Sequence, residues 1–190
     1  APERAIPTLY KTTLKHWLGR YRRKNRGEIV GRVFLFADEF TNYMDVEIGI
    51  KMIELLDRLG YEVIIPKHVE SGRTAISKGM LKVAKGVARK NVLLLKSWVT
   101  ENIPLVGIEP SCILSFRDEY PDLVGEDLKE EAVRLGKNCL LYDEFFIREI
   151  RAGRIQAEQF TDQPLKIMLH GHCHQKSLAS VEPSREMLSL

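Results

Sequence analysis

The stretch that decides the fold is residues 32–65, RVFLFADEFTNYMDVEIGIKMIELLDRLGYEVII. It opens with a continuously apolar run at residues 32–37, which is typical of a strand buried on both faces. Apolar residues at helical spacing follow and stop at Gly60, a residue suited to the C-terminal end of a helix. A second apolar strand follows at residues 61–65. This order predicts two parallel strands joined by a helix that crosses over the sheet.

The same alternation continues along the chain. Further strands are predicted at residues 92–95, 104–108, 139–142 and 166–169, and helices at residues 76–90, 111–120, 126–136 and 145–150. Strands that alternate with helices across short loops indicate an α/β domain. We therefore predict a Rossmann-like, mostly parallel sheet with helices on both faces.

Composition limits the class of protein. Of the 190 residues, 44% are hydrophobic and 29% are charged, which is typical of a folded globular domain. A net charge of +3 is too small to indicate a nucleic-acid partner. We expect no secretory signal and no transmembrane segment, because no apolar run approaches roughly 18 residues. Three cysteines, an odd number, argue against a disulfide framework and favour a reducing cytoplasm.

Residues 1–28 are interpreted as a helical arm or linker. A partial apolar stripe at helical spacing precedes a basic run at residues 20–26. Such a run suits acidic lipid headgroups or phosphates. We favour the simpler interpretation that its positive charges complement the negative end of the helix dipole.

Chemically reactive side chains collect after four of the predicted strands. These groups are residues 38–43, 68–73, 109–112 and 170–174. Because the carboxyl ends of parallel strands meet at one edge of a sheet, we expect the four loops to face a common crevice.

Residues 170–174, HGHCH, are the densest cluster of metal-ligand side chains in the chain. On an extended backbone the three imidazoles would share one face and Cys173 would take the other. A His-x-His pair on a strand is a geometry that suits zinc. Alternatively, a helix begins near His172, and the histidines cap it or pair with carboxylates.

Cys112 follows Pro110 near a predicted helix start. Free backbone N–H groups and the helix dipole would lower its pKa there and favour the thiolate. The alternative is a buried cysteine that only fills space, which is how we interpret Cys139. Since an iron–sulfur cluster asks for about four thiolates, the three cysteines cannot complete one alone.

Further polar candidates lie beside these groups. Gly72 permits a tight turn or a close backbone approach, and Arg73 is suited to holding an anion at a helix N-terminus. The alternative for Arg73 is an ordinary surface position. Asn42 is predicted either to hydrogen-bond within the crevice or to end a strand. Asp118 and Glu119 are interpreted as solvated helix positions.

Four segments resemble the cysteine-rich CCG domain of iron–sulfur oxidoreductases. They are residues 40–49, 72–79, 107–121 and 169–176. That family includes the B subunit of heterodisulfide reductase, the iron–sulfur subunits of glycolate oxidase and anaerobic glycerol-3-phosphate dehydrogenase, and lactate utilisation proteins. The resemblance extends to the C-terminal region of FAD-linked oxidases of the D-lactate dehydrogenase type.

The resemblance implies a C-terminal domain of a flavin- and iron–sulfur-dependent oxidoreductase that oxidises a 2-hydroxy acid such as lactate or glycolate. This domain would hold an iron–sulfur cluster or a single zinc or iron ion, with FAD elsewhere in the parent protein. The implied metal ligands are Cys112, Cys173, His172 and His174, and the implied cofactor-binding residues also include Gly72, Arg73 and Asn42. The implied partners are the flavin and ferredoxin-like domains of the same polypeptide or complex. The implied location is the cytoplasm or the periphery of the inner membrane.

The resemblance also divides the chain. It implies an arm at residues 1–28, a first CCG-type unit at residues 29–163 and the start of a second unit at residues 164–190, whose further cysteines would follow residue 190. The chain by itself is expected to be inactive as a dehydrogenase, because neither a dinucleotide fingerprint nor a flavin motif is evident in it.

Several cysteine positions of the family carry other side chains here. Glu70 and Ser71 stand where paired cysteines are expected, the turn at residues 38–39 has no thiol, and Glu109 stands where a Cys-x-x-Cys pair would begin. Carboxylate and hydroxyl oxygens are hard ligands that suit zinc or ferrous iron better than an iron–sulfur cluster.

These replacements leave two alternatives to a cluster domain. One is a degenerate docking domain that keeps the fold and presents a surface to partner subunits. The other is a zinc hydrolase built on His170, His172 and Glu70.

Overall fold

The computed structural model describes residues 8–161 and 163–190. Within them a four-stranded sheet is formed by β1 (Gly31–Phe36), β2 (Tyr61–Ile64), β3 (Leu105–Gly107) and β4 (Cys139–Leu141). The strands pair in parallel in the order β2-β1-β3-β4. The predicted α/β architecture is therefore confirmed.

Helices connect the strands and extend the chain at both ends. They are α1 (Leu14–Arg20), α2 (Glu39–Tyr43), α3 (Val46–Arg58), α4 (Arg73–Ser77), α5 (Leu81–Leu95), α6 (Pro110–Ile113), α7 (Glu119–Leu123), α8 (Lys129–Lys137), α9 (Tyr142–Arg151), α10 (Cys173–Leu178) and α11 (Glu182–Met187). Short 3-10 segments occur at Leu114–Phe116, Glu126–Leu128 and Ala157–Gln159. In the part of the chain that the structure describes, none of the helices has the length and apolar character needed to cross a membrane.

The helices cover both faces of the sheet, as the sequence predicts. On one face, α5 and α8 pack against Phe34 and Phe36 in a core that includes Cys112. On the other face, α3 and α9 pack against Val33, and α1 packs near Leu35. The two faces alternate along β1 because successive strand residues point to opposite sides of a sheet.

The helical part of the predicted arm packs against α3. Leu14 is fully buried. The Asp57 carboxylate at the end of α3 accepts hydrogen bonds from the Tyr21 hydroxyl at 2.7 Å and from the Lys24 backbone N–H at 2.6 Å. Residues 1–7 of that arm lie outside the described residues.

The predicted strand at residues 92–95 is wrong, because these residues form the last turn of α5. The buried residues of α5 are Ala84, Ala88, Asn91, Val92 and Leu95. They recur every three or four residues along one face, so the short apolar run continues a helical pattern. The single helix predicted at residues 76–90 is also wrong: it is divided into α4 and α5 near Gly79, which has a φ of +69°.

The helix predicted at residues 111–120 is three short pieces instead of one: α6, the 3-10 segment Leu114–Phe116 and α7. Gly136 of α8 packs tightly here. A Cβ atom added to it would lie 2.6 Å from the Phe116 carbonyl oxygen.

The predicted last strand at residues 166–169 is wrong as well. Residues 165–169 form no helix or strand. The apolar side chains of Leu165, Ile167, Met168 and Leu169 are 46% to 92% exposed. An apolar run becomes a strand only when a neighbouring strand supplies its backbone hydrogen bonds, and the described sheet ends at β4 on that side.

Candidate functional site

The strand order changes direction between β1 and β3. The chain passes from β1 to β2 on one side, while β3 and β4 lie on the other. In open α/β sheets, ligands bind at such a point, beyond the carboxyl ends of the strands. The two loops that leave β1 and β3 therefore define the candidate site, which we call the crevice.

Each of these loops turns directly into a short helix. The Asp38 carboxylate caps α2 by accepting hydrogen bonds from the backbone N–H groups of Phe40 at 2.9 Å and Thr41 at 3.0 Å. The Glu109 carboxylate caps α6 by accepting from the N–H of Ser111 at 3.2 Å and from its hydroxyl at 2.6 Å. Both carboxylates are thus tied to their own loops.

Glu39 and Ser71 join the loops that follow β1 and β2. The Ser71 backbone N–H donates to one Glu39 carboxylate oxygen at 2.9 Å, and the Ser71 hydroxyl donates to the other at 2.6 Å. Tyr120 donates its hydroxyl proton to the Ser71 carbonyl oxygen at 2.9 Å. The predicted meeting of these loops is confirmed, and Ser71 is fully buried within it.

Cys112 is fully buried in the same region. Burial raises the pKa of its thiol, and the nearby carboxylates of Asp38 and Glu39 raise the pKa further. The expectation of a helix-stabilised thiolate is therefore wrong. Helix α6 has only four residues, and removal from water together with negative neighbours outweighs its dipole. Cys139 is also fully buried, which confirms that it belongs to the core.

The histidine-rich segment reaches the crevice without a strand. His172 is the N-cap of α10, and its Nδ1 accepts a hydrogen bond from the His174 backbone N–H at 3.2 Å. The capping alternative is thus confirmed, and the extended His-x-His arrangement is wrong. The Nε2 atom of His172 lies 3.7 Å from a Glu109 carboxylate oxygen. Cys173 is exposed at the first residue of α10.

A buried hydrogen-bond cluster holds α10 in place. The Gln175 side-chain amide donates to the Asp143 carboxylate at 2.8 Å and lies 3.2 Å from the Ser184 hydroxyl oxygen. The Ser184 hydroxyl donates to the same carboxylate. These contacts join α10 and α11 to α9, and through α9 to the first part of the chain.

This anchoring brings His174 beside two carboxylates. Asp118, Glu119 and His174 each place one ligand atom within 4.8 Å of the other two, and they are the one such group of three or more among the described residues. Glu119 also forms an ion pair with Arg73. The interpretation of Glu119 as a solvated helix position is therefore wrong. No sequence pattern signals this pair, because 46 residues separate its members.

Residues Gly72 and Asn42 have structural partners as well. Gly72 is the N-cap of α4 with a φ of +75°, and a Cβ added to it would lie 3.1 Å from the Val87 side chain. The buried Asn42 side chain accepts a hydrogen bond from the Lys15 backbone N–H at 3.1 Å. Binding of a cofactor by these residues and by Arg73 stays a prediction.

Sequence reasoning misses His68 as a site residue, although it lies in one of the predicted loops. Its ring packs against Phe36 with centroids 4.5 Å apart and ring planes tilted by 46°, and Nδ1 lies 2.6 Å from the Val69 carbonyl oxygen. Its Nε2 atom is buried and has no hydrogen-bond partner in the part of the chain that the structure describes. Burial lowers the pKa of His68 to about 4. It lines a cavity of about 300 Å³ together with Lys15 and Glu70.

The donor atoms present do not fit an iron–sulfur cluster. Such a cluster requires about four thiolates. In the crevice, by contrast, the thiol of Cys112 is buried, and its raised pKa favours the protonated form. The oxygens of Glu39 and Glu109 are already bonded to Ser71 and Ser111. The zinc hydrolase alternative gains no support either, because Glu70, His170 and His172 do not form a ligand group within the described residues.

Comparison with known proteins relates the chain to oxidoreductases. It is 26% identical over 144 residues to D-2-hydroxyglutarate dehydrogenase of Escherichia coli (strain K12), covering 73% of this chain and 14% of that protein. It is 25% identical over 187 residues to the C subunit of anaerobic glycerol-3-phosphate dehydrogenase of the same organism, covering 97% of this chain and 46% of that protein. It is 27% identical over 153 residues to lactate utilization protein A of Bacillus subtilis (strain 168), covering 79% and 60%.

The chain thus spans less than two thirds of each of these relatives. No protein-family model and no solved structure matches it.

Proposed function

We propose that this chain is a CCG-type domain of a flavin- and iron–sulfur-dependent oxidoreductase that acts on a 2-hydroxy acid, and that it contributes contacts between domains or subunits instead of a cluster. The first half of the proposal is supported by the names of similar proteins, which include a dehydrogenase of 2-hydroxyglutarate and a lactate utilization protein. It is also supported by the sheet, which is parallel as the sequence predicts.

The second half depends on one observation, the hydrogen-bonded pair of Glu39 and Ser71 beside Cys112. Three side chains at or beside positions where the resemblance implies cysteines, those of Glu39, Ser71 and Cys112, lie close together. Their oxygens, however, bond to one another, and the thiol among them is favoured in its protonated form, because its pKa is raised. Iron that entered this space would have to break buried hydrogen bonds, which costs about 1–3 kcal/mol for each group left unsatisfied.

We propose that contacts to the rest of the enzyme begin at residues 164–190, as the start of a second CCG-type unit. The exposed apolar run at residues 165–169 supports this assignment. Four neighbouring apolar side chains in water are unfavourable, and burial would gain about 25 cal/mol per Å². The flavin and ferredoxin-like domains of the parent enzyme are the proposed partners.

The test is anaerobic purification of the chain, followed by metal analysis and a visible spectrum. The expected result is no stoichiometric iron and no sulfur-to-iron charge-transfer absorption. The matched controls are Cys112→Ser and Cys173→Ser, which are expected to have the spectrum of the unaltered chain. Stoichiometric iron with charge-transfer absorption that disappears in both variants would overturn the contact role. It would establish instead that these two cysteines bind an electron-transfer cluster.

A further inference from the structure

We propose that Asp118, Glu119 and His174 bind one divalent first-row cation, of the class of Zn²⁺ or Mn²⁺. Their ligand atoms already lie within 4.8 Å of one another. Ligand atoms about 2.1 Å from a tetrahedral ion are about 3.4 Å apart. The ion would therefore draw the three groups together by at most about 1.4 Å, and the exposed side chain of Asp118 has the freedom to make that movement.

A second observation at Glu119 points to the same ion. One carboxylate oxygen of Glu119 pairs with Arg73, while the other, Oε2, is shielded from solvent and has no hydrogen-bond partner among the described residues. A buried oxygen without a partner is unfavourable, and such atoms are few in native proteins. A cation at this point would satisfy it. Arg73 would then act as the outer partner that orients a ligating carboxylate.

The third ligand is supplied by a different part of the chain. His174 lies in the first turn of α10, whose position is set by the buried contact between Gln175 and Asp143. An ion held by all three residues would therefore connect α10 to α7. This connection would stabilise the docked position of α10 whenever the ion is bound.

The donor atoms define the class of ion. Two carboxylates and one imidazole, without a thiolate, suit Zn²⁺, Mn²⁺ or Fe²⁺ and do not suit Cu⁺ or an iron–sulfur cluster. Three protein ligands leave at least one coordination position for water or for an oxygen of an acidic ligand. Because the site contains no cysteine, its existence is independent of the proposed function.

The test is equilibrium dialysis of the chelator-treated chain against Zn²⁺. The expected result is one equivalent bound, with affinity reduced at least about tenfold in His174→Ala and in Glu119→Gln. His170→Ala is the matched control, since it removes an exposed imidazole from the same segment outside the ligand group. Asp118→Asn, at an exposed position, provides a second ligand variant if Glu119→Gln fails to fold.

Co²⁺ replaces Zn²⁺ in a second measurement that identifies the ligand atoms. Nitrogen and oxygen ligands are expected to give weak d–d bands alone, whereas a thiolate would add intense charge-transfer absorption. The proposal is overturned by the absence of saturable Zn²⁺ binding. It is also overturned if Cys173→Ser abolishes binding while His174→Ala retains it. The proposed function fails on a different measurement, the iron content and visible spectrum of the anaerobic protein.

Discussion

The crevice and the C-terminal segment, residues 163–190, differ in how far their side chains are buried and hydrogen-bonded. In the crevice, Ser71 and Cys112 are fully buried, and the carboxylates bond to neighbouring loops. In the C-terminal segment, Met168 is 92% exposed and Cys173 faces solvent. A region whose carboxylates are already partnered and whose thiol is buried has little left to offer a ligand. Reactive groups that remain accessible are therefore expected on the C-terminal side.

The largest expected effect contrasts Phe116→Ala with Met168→Ala. Phe116 is fully buried between Phe36 and Tyr120, with ring centroids 5.1 Å and 4.4 Å away. Its truncation is expected to lower the free energy of unfolding by about 3–5 kcal/mol, whereas Met168→Ala is expected to change it by about 0.5 kcal/mol or less. Urea unfolding measures both. Similar losses in the two variants would show that residues 165–169 are packed in solution.

The next largest effect is expected on the pH dependence of stability, through two buried titratable groups near the crevice. Burial raises the pKa of Asp38 to about 6 and lowers the pKa of His68 to about 4. Between pH 4 and 6 the folded state holds the Asp38 proton more tightly than the unfolded state does, so this carboxyl makes stability fall as pH rises. His68 binds its proton more tightly in the unfolded state, so it makes stability rise with pH up to about 6.5.

Replacing either group is expected to reveal the pH dependence of stability that the other group contributes. His68→Asn should lose stability as the pH rises from 4 to 6, and Asp38→Asn should gain stability over pH 4 to 6.5, each by up to about 3 kcal/mol. Asn keeps a capping oxygen at position 38. The measurement is the free energy of unfolding as a function of pH. Slopes of the same sign in the two variants would contradict the opposing linkage.

A smaller effect is expected at the contact that joins the two regions. Gln175→Ala removes a hydrogen bond from the buried Asp143 carboxylate, which is expected to cost about 1–3 kcal/mol. Hydrogen exchange should increase in α10 and α11 and stay unchanged in α5. Faster exchange in α5 would mean that the C-terminal segment is required for the stability of the whole sheet.

The smallest change in stability is expected when the exposed thiol of Cys173 is replaced. A neutral thiol reagent should modify Cys173 alone in the folded chain, because Cys112 and Cys139 are buried with raised pKa values. All three should react in denaturant. Cys173→Ser is the control that removes the rapid reaction and leaves stability nearly unchanged. Rapid reaction of Cys112 in the folded chain would show that the crevice opens.

The meeting of the loops after β1, β2 and β3 could be predicted, because it follows from the parallel topology alone. The contact between Glu39 and Ser71 confirms it for the loops after β1 and β2. The pairing of Arg73 with Glu119 could not be predicted, since no local pattern relates residues so far apart. From the sequence, His172 is either a metal ligand on a strand or a helix cap. Only the backbone of α10 decides between these alternatives, because it places His172 at the N-cap.

What the sequence by itself determined was the alternation of strands and helices and the kinds of donor atoms that follow the strands. Tertiary structure decided the rest. The apolar runs at residues 92–95 and 166–169 look alike, yet one completes α5 and the other lies exposed. The reason is that hydrogen bonding between strands, desolvation of a thiol and the distance between ligand atoms depend on neighbours that only the packed chain supplies.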